Sequence, residues 1–189
     1  QEYRDYIQTE FRAKDLALRE RLAAALEREN FLCREPFFQA HRPFRAGKKW
    51  RDLPLDEKLA RVMEERATRF GAKDPQHAYT HQSGAIDELL RPAPRSVVVT
   101  TGTGSGKTEA FLLPVLQNAL ADARAFDGRP GLTAILVYPM NALANDQRQR
   151  IDEYLATAGL GNAVKVEQYD RSSSQDDRAR MRSAPPQIL

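Results

Sequence analysis

The chain has 189 residues, of which 41% are apolar, and a formal net charge of +3. This length fits one α/β domain with an extension, and the apolar fraction is ordinary for a protein with a packed core. The mean hydropathy of −0.61 and the lack of a long apolar run exclude a membrane span. The N-terminus lacks the layout of a signal peptide, and Cys33 alone excludes an intrachain disulfide, so the composition predicts a cytoplasmic protein.

The first 71 residues are predicted to form a helical extension. Apolar residues recur at three- and four-residue spacings over residues 2–30, without Pro or Gly, which predicts one helix. Residues 36–54 are predicted to be irregular, and a second helix is predicted from its N-cap Asp56 to Phe70. Because Asp74-Pro75 marks a turn after this helix, the sequence predicts two domains, over residues 1–71 and 72–189.

The second domain alternates between strand and helix patterns, as in a parallel sheet with crossover helices. Strands are predicted at residues 96–101, 133–138 and 164–169, with the entry to a fourth at 185–189. Helices are predicted at residues 82–90, 107–123, 141–158 and 176–182. Asn141 is predicted to cap the third of these helices. The sequence therefore predicts an α/β fold that is incomplete within this chain.

A glycine-rich loop follows the first predicted strand and precedes a helix. Its sequence is Thr-Gly-Thr-Gly-Ser-Gly-Lys-Thr over residues 101–108, with Thr101 where the common form of a P-loop has glycine. Glycines turn backbone N–H groups toward a polyphosphate, and the helix N-terminus adds positive potential. Lys107 and Thr108 are the predicted catalytic residues, reaching the β/γ-phosphates and Mg²⁺. The predicted ATP contacts in this loop are Gly102, Thr103, Gly104, Ser105, Gly106, Lys107 and Thr108; the alternative is a glycine-rich turn without a ligand.

A basic cluster lies upstream, in the predicted irregular segment. It consists of Arg42, Arg45, Lys48, Lys49 and Arg51, with Phe44 and Trp50 between them. Such a cluster can hold a nucleic-acid backbone and stack a base. The favoured alternative is a solvated loop whose aromatic rings pack on the domain, because charge alone indicates only non-specific attraction.

The histidines give no metal signal. His41, His77 and His81 lack the spacing to cysteines or carboxylates that a metal site needs. His81 is predicted to be a surface or capping residue.

Three segments together resemble superfamily 2 helicases of the DExD/H type. Residues 99–116 are similar to helicase motif I, residues 79–86 to a Q motif and residues 136–147 to motif Ia. The sequence of motif Ia and the helical segment before the Q motif most resemble those of the YprA/Lhr-like bacterial helicases. Some anti-phage defence helicases share this type. The resemblance implies a RecA-like P-loop fold, with a parallel sheet and flanking helices, of which this chain holds part of the first lobe.

The Q-motif resemblance implies that Gln82 contacts the adenine of ATP. A glutamine amide offers a donor and an acceptor side by side, which suits the N6 and N7 edge of adenine. Tyr79 is a candidate for stacking on the purine. The alternatives are that Gln82 is an ordinary helix residue and that Tyr79 belongs to the core.

The motif Ia resemblance implies contact with a nucleic-acid strand. Met140 and Asn141 stand where DEAD-box proteins have Thr and Arg, which favours uncharged contacts over an ionic one. The alternative, which is compatible with strand contact, is an N-capped amphipathic helix with Leu143 and Ile151 inward. The residues implied in strand binding are Pro139, Asn141, Ala142, Asn145 and Gln147.

The resemblance implies an ATP-dependent nucleic-acid helicase or translocase that uses ATP and Mg²⁺. Its implied partners are nucleic acid, with DNA favoured over RNA, a second RecA-like lobe and other proteins of a defence or repair complex. No acidic Walker B box follows residue 108, so this stretch alone is expected to bind nucleotide without useful hydrolysis. The alternatives are a P-loop kinase or ATPase that does not act on nucleic acid, and a non-catalytic P-loop scaffold.

Overall fold

A computed structural model describes residues 2–34, 36–38, 43–127, 129 and 131–189. Their contacts divide the chain into two compact units, residues 1–42 and residues 43–189. Across these ranges, no helix has both the length and the apolar character needed to cross a membrane.

The first unit contains two helices where the sequence predicts one. They are α1, Glu2–Glu10, and α2, Leu16–Leu26. The break has a local cause: the Asp15 carboxylate accepts a hydrogen bond from Leu18 N at 2.8 Å and begins α2 as its N-cap. The Arg19 guanidinium also binds the Ala13 carbonyl, which satisfies backbone in the intervening turn. The prediction of one continuous helix is therefore wrong.

The second unit combines helices with a small antiparallel sheet. Strand β1, Ala46–Lys49, pairs with strand β2, His77–Tyr79. A short 3₁₀ turn, Trp50–Asp52, follows β1, so the predicted irregular segment is partly ordered. The helices of this unit are α3, Glu57–Arg69; α4, Thr80–Leu89; α5, Lys107–Ala125; α6, Asn141–Thr157; and α7, Gln175–Ser183. Each lies where the sequence predicts a helix, within a few residues.

Helix α3 belongs to the same compact unit as the glycine-rich loop. Asp56 caps it through Lys58 N, as predicted, and the backbone N–H of Asp56 donates to Gln117 Oε1 of α5 at 2.6 Å. Arg124 of α5 forms an ion pair with the Asp56 carboxylate at 2.8 Å. The contact boundary thus follows Arg42, not residue 71, while the division into functional domains stays a prediction.

The core of the second unit is built around α5. Its buried face carries leucines and alanines at helical spacing, including Leu112, Leu116 and Leu120. Side chains from α3, α4 and α6 join the same cluster, among them Leu59, Ile86, Ile151, Tyr154 and Leu155. Because α5 begins at Lys107, this packing fixes the end of the glycine-rich loop.

The predicted parallel strands are present only as isolated bridges. Ile188 pairs in parallel with Ala134 on one side and with Val166 on the other. Residues 96–101, predicted as the first strand, form no strand, and Val98 is 87% exposed. A strand is held by hydrogen bonds to its neighbours, and none of the described residues pairs with this segment. The strand prediction at residues 96–101 is therefore wrong for this structure.

Candidate nucleotide and nucleic-acid site

The glycine-rich loop has the backbone of an anion cradle. Gly104 and Gly106 both have a φ of +73°, in the left-handed region that favours glycine. Gly106 is the N-cap of α5, so the loop ends where the helix presents unpaired N–H groups. Successive N–H groups in such a turn converge on one point. The backbone therefore suits a bound phosphate.

The side chains of the loop divide into buried and open ones. Ser105 is buried, and its hydroxyl lies 2.6 Å from that of Thr101. Gly102, Thr103 and Gly104 are exposed. Thr101 thus replaces the usual first glycine with a side chain that braces the loop from inside.

Lys107 is directed at its own loop. Its Nζ donates to the carbonyls of Thr101 at 2.7 Å and Gly102 at 2.6 Å. An ammonium group in this position can exchange carbonyl oxygens for phosphate oxygens by rotation of its side chain. Thr108, in the first turn of α5, is half-buried.

Helix α4 contacts the glycine-rich loop through two neighbouring side chains. Gln82, 5% exposed, donates from Nε2 to Gly106 O at 3.0 Å and accepts from Tyr79 N at 2.9 Å. His81 Nε2 lies 2.8 Å from Ser105 O, and since a carbonyl only accepts, this nitrogen carries the proton. The contact of His81 with the loop has no sequence signal, because no local pattern links it to a residue 24 positions away.

Three aromatic rings cluster at the N-terminus of α4. Phe44 lies 5.2 Å from Tyr79 and 5.6 Å from His81, and the Tyr79 and His81 rings stack at 5.8 Å. Tyr79 remains partly exposed. Phe44, interpreted from the sequence as part of the basic cluster, therefore belongs to an aromatic group beside the loop.

The residues present fit ATP with Mg²⁺. The left-handed glycines would cradle the phosphates, and Lys107 and Thr108 would supply a cation and a hydroxyl at the end of the loop. Both ends of the Gln82 amide already contact protein, which leaves one N–H and one lone pair for a base. The aromatic group offers an apolar face to a purine.

Gln82→Ala tests whether this amide reads adenine or only braces the loop. We expect the KM for ATP to rise by about 5- to 150-fold, the equivalent of roughly 1–3 kcal/mol for a bidentate amide–adenine pair. The KM for GTP should change much less, which narrows the preference for ATP. Steady-state kinetics with both nucleotides measures this. Equal increases for ATP and GTP would instead assign Gln82 to loop bracing alone.

The N-terminus of α6 carries most of the motif Ia residues on its surface. Pro139, Asn141, Ala142 and Asn145 are exposed, whereas Gln147 is buried at 7% exposure. The N-cap is Met140, without a side-chain cap, so the prediction that Asn141 caps the helix is wrong. Asn141 is instead the first helical residue. Its amide is thereby not used to cap its own helix.

The sequence alternative for α6 is an amphipathic helix with Leu143 and Ile151 facing inward, and the structure agrees with it only in part. Ile151 is buried as expected, but Leu143 is 37% exposed. Leu143 lies in the first turn, ahead of the region that packs on the core. The first turn of α6 is therefore open on several sides.

A polar cleft of about 640 Å³ adjoins this first turn. Asn141, Asn145 and Arg148 line one side, and Gln168 and Ser172 lie on the other. Gln168 Nε2 donates to Asn145 Oδ1 at 2.9 Å across the cleft. The cleft thus offers amides, hydroxyls and guanidinium groups next to the free N–H groups of α6, and it is also lined by three carboxylates, those of Glu167, Asp170 and Asp177.

Two of the four described basic residues of the upstream cluster, Lys48 and Arg51, form ion pairs within the protein. Lys48 forms an ion pair with Asp87 at 2.7 Å, and both oxygens of Glu64 accept from Arg51. Trp50 is 3% exposed and belongs to the core. Arg42, like His41, lies outside the described residues. The burial of Trp50 agrees with the packing alternative, whereas residues 46–49 form strand β1 and not the expected loop.

A buried carboxylate links α5 to α6. Glu109, 7% exposed, lies two residues after Lys107 and accepts from the Tyr154 hydroxyl at 2.9 Å. Arg150 Nη1 approaches the same oxygen at 3.4 Å. Burial, together with the negative charge of Glu109, raises the pKa of Tyr154. Tyr154 therefore stays protonated and donates to Glu109 throughout the physiological range.

Residues 79–189 match the family model described as DEAD/DEAH box helicase. This match begins at Tyr79, three residues before Gln82, and covers the glycine-rich loop, α6 and α7. It includes every residue of the two candidate sites named above, apart from Phe44.

Curated relatives include helicases from bacteria and fungi. The chain is 34% identical over 151 residues to the Druantia protein DruE of Escherichia coli, covering 78% of this chain and 8% of the relative. It is 30% identical over 138 residues to the uncharacterized ATP-dependent helicase YprA of Bacillus subtilis, covering 72% and 16%. It is 27% identical over 106 residues to the ATP-dependent RNA helicase DBP9 of Scheffersomyces stipitis, covering 56% and 17%. The chain thus spans less than a fifth of the length of each of these relatives.

Proposed function

The chain belongs to the DEAD/DEAH box helicase family, and we propose that it forms the ATP-binding part of a motor that moves along or separates nucleic-acid strands. Membership implies a RecA-like α/β fold. The observation that carries the proposal is the tie between α4 and the P-loop, in which Gln82 and His81 bind the carbonyls of Gly106 and Ser105. This tie places the Gln82 amide, a donor and an acceptor side by side that suit adenine, next to the phosphate cradle.

The proposed nucleotide site assigns a role to each contact. The N–H groups of residues 102–106 hold the phosphates, Lys107 neutralises the β/γ oxygens, and the Thr108 hydroxyl ligates Mg²⁺. Mg²⁺ supplies electrostatic stabilisation of the charge that develops on the transferred phosphoryl group. Gln82 and the ring of Tyr79 select adenine. Hydrolysis requires a carboxylate that activates water, and no acidic box follows residue 108 in this sequence.

The proposed sheet is parallel and centred on Ile188. Its support is the pair of bridges from Ile188 to Ala134 and Val166, with Leu136 N donating to Leu189 O at 2.8 Å. In a parallel α/β sheet, ligands bind at the carboxyl ends of the strands. The start of α6 follows such an end directly.

The proposed strand site is the exposed start of α6, at Pro139, Asn141, Ala142 and Asn145. Free N–H groups of a helix N-terminus suit a phosphodiester, and amides add uncharged hydrogen bonds. We propose DNA as the strand. The similarity to an RNA helicase, DBP9, makes RNA the alternative outcome of a competition experiment.

ATP hydrolysis by the full-length protein, measured with and without single-stranded DNA or RNA, tests the proposed function. We expect hydrolysis that a strand stimulates, with DNA as the better activator. Hydrolysis that neither strand stimulates would point to a P-loop ATPase that does not act on nucleic acid. Nucleotide binding without hydrolysis would point to a scaffold.

The salt dependence of strand binding distinguishes the two candidate strand contacts. Uncharged contacts release few counterions, so Asn141→Ala should weaken binding by about 3- to 10-fold, the worth of one hydrogen bond, without changing the salt slope. Since Lys48 is paired with Asp87, replacing Lys48 and Lys49 by alanine should leave the slope unchanged as well. Salt titrations of DNA and RNA binding measure both effects.

Asn162→Ala is the matched control for Asn141→Ala, because it removes the same amide from an exposed loop outside α6. It should leave strand binding unchanged. A slope that falls by roughly 1–2 units in the double lysine variant would place phosphates at the basic cluster. Identical titrations for Asn141→Ala and the wild type would remove α6 from the strand site.

A further inference from the structure

Glu109 is placed between the two proposed sites. It lies in the first turn of α5, directly after Thr108, and its side chain reaches α6. One oxygen, Oε1, contacts Tyr154 and Arg150; the other, Oε2, lies 3.3 Å from where a Cβ on Gly106 would stand. A single carboxylate thus spans from the P-loop turn to the strand-binding helix.

Its burial makes these contacts hard to break. A carboxylate with 7% exposure is held in place by its hydrogen bonds, because an unpaired buried charge is costly. The ring of Tyr154 is itself fixed, since it is buried in the core and Arg66 of α3 lies over it at 5.4 Å. Tyr154 therefore cannot follow Glu109 unless α6 moves with it.

Nucleotide binding changes the contacts made at this turn. Lys107 has to exchange the carbonyls of Thr101 and Gly102 for phosphate oxygens. The bound phosphates also place negative charge against the N–H groups at the start of α5, in the same helical turn that carries Glu109. A change there reaches α6 at Arg150 and Tyr154, and α6 transmits it as a rigid rod to Asn141, about 20 Å from Tyr154 along the helix axis.

We infer that Glu109, with Tyr154 and Arg150, is a positioning device that makes ATP affinity and strand affinity depend on one another. This inference rests on the proposed function. Glu109 touches neither ligand in this scheme: it sets the relation between the first turn of α5 and the axis of α6. Its removal should uncouple the sites rather than destroy either one.

The experiment measures the affinity of the full-length protein for a fluorescent ATP analogue, with and without a saturating single-stranded oligonucleotide. The ratio of the two Kd values is the coupling factor, expected between about 5 and 150 in the wild type. In Tyr154→Phe this factor should fall toward 1, while the Kd measured without the strand changes less than about twofold. Glu109→Gln should lower the factor similarly, and the double variant should lower it no further.

Two controls separate uncoupling from general damage. Glu153→Gln removes an exposed carboxylate charge from the same helix and should keep the wild-type factor. By linkage, the strand affinity measured with and without nucleotide must give the same factor in every variant. A purely structural role would lower the melting temperature and shift both Kd values equally.

A wild-type coupling factor in Tyr154→Phe overturns this inference and leaves the proposed function intact. Since Tyr154→Phe removes only one hydroxyl, it keeps the test decisive even where Glu109→Gln does not fold. A wild-type protein that binds no ATP analogue, or whose factor is 1, overturns the proposed function and this inference together.

Discussion

Lys107→Ala is expected to lower ATP hydrolysis by the full-length protein by about 100-fold or more. The side chain is the cation that the glycine-rich loop offers to the β/γ-phosphates, and loss of one preorganised electrostatic contact to a transition state costs about 10²–10³ in kcat. Fold stability should change little, because the hydrogen bonds of Nζ go to two carbonyls of its own loop, those of Thr101 and Gly102. Strand-dependent ATPase assays and thermal melts measure the two quantities.

Lys73→Ala is the control for the loss of positive charge. Lys73 is exposed in the turn between α3 and β2, and its removal should leave hydrolysis at the wild-type rate. Wild-type turnover in Lys107→Ala, in contrast, would end the assignment of residues 101–108 as a phosphate-binding loop.

A series of three glycine variants is expected to separate backbone strain from crowding. Gly84 lies inside α4 with open space around a new Cβ and no positive φ, so Gly84→Ala should be neutral or stabilise by up to about 1 kcal/mol. Gly104 has equal space but a φ of +73°, so Gly104→Ala should cost about 1–2 kcal/mol. The affinity of Gly104→Ala for nucleotide should fall by a similar free energy, because the phosphate cradle needs this backbone conformation.

Gly106→Ala should have the largest effect of the three. It combines the same φ with a Cβ only 2.3 Å from Gln82 Nε2, so the amide must leave Gly106 O. We expect ATP binding weakened by at least about 100-fold, as strain and a lost hydrogen bond add to roughly 3 kcal/mol. Melting temperatures and ATP Kd values across the series measure the order. An affinity for ATP in Gly106→Ala equal to that in Gly104→Ala would show that the Gln82 contact contributes nothing.

Elements with local signals could be predicted from the sequence. Asp56 begins α3 through its own side chain, Gly71 follows its end with a positive φ, and the Gly-Lys junction begins α5. These features depend on a few neighbouring residues, so their positions agree with prediction within a few residues. The break between α1 and α2 was not predicted, because the apolar periodicity of a helix carries no information about a side chain such as Asp15 that caps a new helix.

Contacts between distant residues could not be predicted. His81 and Ser105 are 24 positions apart, and Glu109 and Tyr154 are 45 apart; neither pair has a sequence signature. The prediction of a strand at residues 96–101 is wrong for a related reason. β-branched residues favour a strand only where a neighbouring strand provides hydrogen bonds. The assignment of individual residues to ATP and to the strand stays a prediction.

The pairing of β1 with β2 has a practical consequence for shortening the protein. The unit that carries the P-loop begins at Pro43, 29 positions before residue 72. A chain cut at residue 72 would strip Trp50 and Leu59 from the core they share with Leu112 and leave β2 as an unpaired edge. Exposed leucines beside a bare strand edge promote aggregation. A truncated version intended for ligand-binding work should therefore retain residues 43–71, although they precede the helicase motifs.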